Sequence, residues 1–251
     1  MFPIKYYQIY FSLRFLLYHI YDKVERVMIE KNIIFDDLSD VASVWCDAAI
    51  DSGELARVAG VIMDRNIPFV SVVPECVPVI WPWLENKGVK ILSRFVLSDK
   101  KVTEQQISDV TMAINSAFKR GSHGAQIFLA YSALVGLVEQ THVIRDDLFF
   151  EKDLSIAIGI NQIDSDDWED LFENLQKINA TSLLLTMSKD MGDKSDFVGR
   201  FYGMLDVWNS ENKFDIHLAF GQNFQRIEQA LRLIKSVRPE LIKTTKVFIN
   251  Y

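Results

Sequence analysis

The chain has 251 residues, 49% apolar and 24% charged, which excludes a disordered chain and a disulfide-stapled mini-domain. With 27 Lys and Arg against 34 Asp and Glu, the formal net charge is −7; no basic cluster offsets it, which argues against nucleic acid as a partner. Glycine is scarce: 11 residues, where average usage gives about 18, a thin supply for holding phosphate on glycine-rich loops.

In chain order, the first feature is the apolar stretch YFSLRFLLYHIY at 10–21. Ile9, Leu13, Leu16, Ile20, Val24 and Val27 recur at intervals of three and four, which predicts a helix within 1–35. It is too short to span a bilayer, Lys5, Arg14, Asp22 and Lys23 break or flank it, and no small-residue cleavage site follows. The expectation is therefore a cytoplasmic protein without membrane contact. Phe11, Phe15 and Tyr18 lie off the main stripe, so the helix is expected to be buried on more than one side. A homodimer contact through it is the alternative.

From residue 41 onward, β-rich runs alternate with helical patterns. The strand-like runs are 41–50, 68–73, 89–97, 125–130, 153–160, 182–187, 214–220 and 245–251. Between them lie helical patterns at 54–66, 77–88, 131–152, 168–179, 197–209 and 224–237. One further helix is opened by a capping-box pair, Thr103 and Gln106, and closed by Gly121. Several strands are nearly continuous apolar runs, as parallel strands covered on both sides require. Eight strands, seven of them followed by helices, predict in this length a single-domain (β/α)8 TIM barrel over 41–251. The sequence carries no eighth outer helix after the last strand, and the helix in 1–35 is expected to stand in for it. A doubly wound open sheet is the second reading, but no GxGxxG opens its first helix.

Residues 44–130 carry a succession of short motifs: Val70-Ser71-Val72-Val73-Pro74, Val77-Pro78, Val89-Lys90 with Phe95 later in the same strand, and Ala117 to Gly121 before the fourth strand. Their order resembles the deoxyribose-phosphate aldolase family, over about a third of the chain and more weakly over 179–250. The resemblance implies a class I aldolase barrel whose strand-six lysine forms a Schiff base. A second cation lowers that lysine's pKa, and an aspartate on strand four moves protons. Carried over residue by residue, the lysine position falls on Leu185, before Thr186-Met187-Ser188. The second lysine falls on His217, the aspartate on Gln126, and Ser71 stands where the family often has cysteine. The phosphate-holding turns after strands seven and eight are reduced to Phe220-Gly221-Gln222-Asn223 and to a strand, 246–250, without glycine.

In such a barrel the chemistry sits at the C-terminal ends of the strands. The polar residues there are Asp47, Glu75, Ser98, Asn161, Gln162, Ser188, Lys189, Gln222 and Asn250. Lys189 is the substitute nucleophile among them, or else a solvated loop charge. Asp47 and Glu75 either share a proton or hold a divalent cation, or they are surface carboxylates with Glu75 capping a helix. Alternation in FDIHLAF points His217 into the barrel as a ligand contact, with Gln126, Asn161, Gly221, Gln222 and Asn223 as further ligand-binding candidates. Cys46 and Cys76 read as reduced thiols, since a metal or redox pair lacks CxxC spacing and a third ligand. The sequence calls for no metal and no cofactor. Two functions follow: an aldolase-like barrel that has lost its Schiff-base chemistry and binds a small ligand or a partner, or a class I aldolase acting on a small aldehyde or sugar phosphate through Lys189.

Overall fold

The computed structural model describes residues 38, 41–47, 50–97, 102–139, 152–187 and 196–251. Eight strands pair in parallel in chain order: β1 (Ala42–Trp45), β2 (Phe69–Val72), β3 (Lys90–Leu97), β4 (Gly124–Leu129), β5 (Asp153–Gly159), β6 (Ser182–Thr186), β7 (Asp215–Ala219) and β8 (Lys246–Asn250). The circle closes where β8 pairs with β1, with Ala42 opposite Val247 and Trp45 opposite Asn250. The fold is the (β/α)8 barrel that the alternation predicts.

A helix follows each of the first seven strands: α1 (Ser52–Asp64), α2 (Val77–Leu84), α3 (Glu104–Lys119), α4 (Tyr131–Glu139), α5 (Trp168–Lys177), α6 (Phe197–Val207) and α7 (Phe224–Val237). Each buries one stripe. In α1 it is Leu55, Val58, Ala59 and Ile62, in α7 Ile227, Ala230, Leu231 and Ile234, at the three-and-four spacing of an outer-layer helix. The Thr103–Gln106 pair forms a full capping box on α3. Among the described residues no helix is long and apolar enough to cross a membrane. The helix expected within 1–35, its dimer contact and its place beside the barrel lie outside the described residues.

Two expectations are corrected in detail. The first strand ends at Trp45 rather than running to residue 50. After Cys46 N donates to Ser71 O at 2.9 Å, Ile50 N turns back onto Asp47 O, and the Asp51 carboxylate accepts from Glu54 N at 2.8 Å to start α1. The second concerns glycine. Asn66, Asn86 and Asn179 occupy left-handed backbone just after α1, α2 and α5, with φ of 52°, 60° and 49°. Asparagine tolerates that region better than other side chains do, so part of the missing glycine is replaced by asparagine at helix ends.

The parity of each strand decides what fills the barrel. Leu92, Ala157, Leu184 and Phe248 form one buried interior cluster, with Trp45, Phe69, Phe128 and Ala219 packed against it. Successive strand residues face opposite sides, so Ser43, Ser71, Arg94, Gln126, Ser155, Thr186, His217 and Asn250 also face inward. The opposite parity, such as Val44, Ile127, Ile156, Leu185 and Leu218, is buried on the outer side of the sheet. Four inward residues near the strand starts are charged: Lys90 bonds Asp153 at 2.6 Å, and Asp215 and Lys246 begin β7 and β8.

Candidate functional site

The C-terminal mouth of the barrel opens into a cleft of about 1030 Å³, whose lining includes Trp45, Phe128, Thr186, Ala219, Gln222 and Asn250. Trp45 and Phe128 meet edge to face, 5.5 Å between ring centroids. The turn after β7 forms one lip. Gly221 takes φ +64°, and Asn223 caps α7 by accepting from Arg226 N at 3.2 Å. Gly221, Gln222 and Asn223 thus all border the cleft, with the Asn223 oxygen committed to the helix.

Strands β2 to β4 carry a polar constellation of inward residues, Ser71, Arg94 and Gln126, none of which borders the cleft. Arg94 reaches from β3 over the Trp45 ring, guanidinium carbon 4.2 Å from the centroid, and its Nη2 donates to the Cys46 carbonyl. Burial pushes its pKa down to about 10, so it remains charged at neutral pH. Gln126, fully buried on β4, accepts from the Ser71 hydroxyl at 2.5 Å. Arg94 Nη1 and Gln126 Nε2 are buried without a partner. Sequence reasoning missed Arg94 and Trp45. The signal was there: Lys90, Leu92 and Arg94 share a parity in KILSRFVL, and an arginine inside such a strand needs a buried partner.

The other candidates separate. His217 faces inward, packed between Phe69 and Phe248 with centroids at 5.9 and 5.8 Å, and it does not line the mouth cleft. Burial, reinforced by Lys246 and Lys90, lowers its pKa to about 3, so the ring is neutral; its Nδ1 has no partner. Asp47 and Glu75 are exposed on the turns after β1 and β2. Asn161 is exposed after β5, and Gln162 beside it caps α4 by accepting from Tyr131 N at 3.0 Å. Burial raises Cys46 to about 12 and also raises Cys76, so both stay thiols. Among the described residues no group of three His, Cys, Asp or Glu could hold a metal ion. Lys189, Ser188 and Ser98 lie outside the described residues.

The carry-over onto Leu185 needs correction. Leu184 belongs to the interior cluster, so Leu185 faces outward, paired with Ile158 and Leu218. A side chain at 185 cannot reach the barrel interior. The inward positions of β6 are Ser182, Leu184 and Thr186, and those of β7 are Asp215, His217 and Ala219; none is a lysine.

No known protein family profile matches the sequence, and no curated protein matches it. Solved structures do. The tetrameric deoxyribose-phosphate aldolase of Aeropyrum pernix superposes with a TM-score of 0.62 at 10% identity, over 86% of each chain. An aldolase designated QR15 gives 0.62 at 11% identity, over 85% of this chain and 91% of that one. The HMG-CoA lyase of Bacillus subtilis gives 0.57 at 10% identity, over 83% and 76%. The likeness is one of fold, the (β/α)8 barrel.

Proposed function

We propose that this aldolase-like barrel binds a small ligand in its C-terminal mouth and carries out no Schiff-base chemistry from its strands. The observation behind this reading is the pair of inward faces on β6 and β7, which hold Leu184, Thr186, His217 and Ala219 but no amine. A class I aldolase needs a free lysine amine at the substrate carbonyl, made available at neutral pH by desolvation or a neighbouring cation. The inward lysines of the described strands, Lys90 and Lys246, start β3 and β8 at the opposite end from the cleft, and Lys90 is held by Asp153. The cleft itself remains, walled by Trp45 and Phe128.

Borohydride reduction in the presence of a panel of small aldehydes and sugar phosphates, followed by peptide mass analysis, tests the reading. The expected result is no reduced adduct on any lysine. An adduct on Lys189 overturns it in favour of a class I aldolase with a relocated nucleophile, in which Asp47 or Glu75 would be the proton-transfer candidates.

A further inference from the structure

Two hydrogen-bond donors on neighbouring strands, Arg94 Nη1 on β3 and Gln126 Nε2 on β4, are buried without a partner. Arg94 and Gln126 are directly opposed in the register of β3 and β4, and both face inward. Neighbouring strands run about 4.8 Å apart, so the two side chains start from adjacent points of the barrel wall. The Ser71 hydroxyl holds Gln126 Oε1 at 2.5 Å, which fixes the amide and leaves Nε2 to the interior. The guanidinium is fixed as well, stacked on Trp45 and tied through Nη2 to the Cys46 carbonyl. What remains on each residue is one buried donor without a partner, Nη1 and Nε2. Among the described residues no carboxylate forms an ion pair with Arg94. Leaving a buried cationic donor and a buried amide donor unpaired carries a free-energy cost, which an acceptor from outside would relieve.

We propose that Arg94 and Gln126 together bind the carboxylate of a small ligand, whose body lies against Trp45 and Phe128 in the mouth. This rests on the reading of the barrel as a ligand-binding one. Trp45 joins the two halves of the site, since it lines the cleft and carries the guanidinium on its ring. A carboxylate matches the donor set because its charge is single and its two oxygens lie in one plane, to be shared between a guanidinium N–H and an amide N–H. A phosphate would present more oxygens and more charge than one cation and one amide satisfy. The apolar edge-to-face pair suits the carbon skeleton that follows the carboxylate.

The test is calorimetric and fluorescence titration of the full chain with benzoate, lactate and succinate, set against benzamide, lactamide and inorganic phosphate. None of these probes carries an aldehyde or ketone, so no Schiff base forms; failure here removes the carboxylate site and leaves the borohydride result to decide the earlier reading. The expected outcome is saturable binding of at least one carboxylate, at least tenfold weaker for its amide. R94Q and Q126L should each weaken it at least tenfold while circular dichroism stays that of the parent. R94K, which keeps the charge and loses the planar fork, should give an intermediate loss and serves if R94Q does not fold. No saturable carboxylate binding, tighter binding of phosphate than of every carboxylate, or unchanged affinity in R94K and Q126L would overturn the assignment.

Discussion

The Ser71 hydroxyl donates to Gln126 Oε1 over 2.5 Å inside the barrel, joining β2 to β4 across the intervening strand β3. Ser155 is the contrasting case on β5: its hydroxyl is equally buried and has no partner. Replacing Ser71 by alanine strands the glutamine carbonyl, at an expected cost of about 1–3 kcal/mol. Replacing Ser155 by alanine removes a polar atom that bonds to nothing in the protein, so the cost should stay below about 1 kcal/mol. Urea unfolding at constant m-value measures both; equal losses would show that the Ser71 bond does not form.

The buried imidazole of His217 sets an acid limit on stability. Its folded pKa, about 3, is below the ordinary 6.5, so the unfolded chain takes up a proton that the folded barrel refuses. The contribution is therefore complete above pH 6.5 and is lost as pH falls toward 3. At about 1.4 kcal/mol per pH unit, roughly 2–3 kcal/mol should be gone by pH 4.5. His123, lowered mainly by burial, acts in the same direction. Asp215, raised mainly by burial, acts in the opposite sense: its contribution is present below pH 3.8 and lost as pH rises through its folded value. Urea midpoints between pH 4.5 and 8 should show the fall in the parent and a shallower one in H217Q; identical slopes would remove His217 as the source.

Two glycines with left-handed backbone should respond differently to alanine. At Gly221, φ +64° with open space around it, G221A meets strain alone, about 1–2 kcal/mol. At Gly121, φ +110°, a Cβ would sit 2.4 Å from the Trp81 ring, so G121A adds a clash and should cost about 2–4 kcal/mol. Thermal unfolding of the pair measures the difference, and an equal shift in both would mean that Trp81 moves aside freely.

Much of this protein is local in its sequence. Period-two alternation in FDIHLAF was enough to place His217 on the inward face, and the Thr103–Gln106 spacing was enough to place the start of α3. These patterns survive because side-chain parity and helix capping depend on neighbours a few residues away. In SLLLTM the alternation gives only a phase, Leu185 opposite to Ser182, Leu184 and Thr186, because the strand is buried on both faces; the packing of Leu184 in the interior turns Leu185 outward.

What no local pattern determines is which residues from different strands share a level of the barrel. Arg94 faces Gln126, and Gln126 meets Ser71, only because the registers of β2, β3 and β4 bring positions 71, 94 and 126 together. His217 falls below the mouth and Trp45 at it for the same reason. Sequence by itself determined the strand count, the inward face of His217 on β7 and the start of α3. The tertiary structure alone decided which inward residues meet, because the stagger of a closed barrel is a property of all eight strands at once.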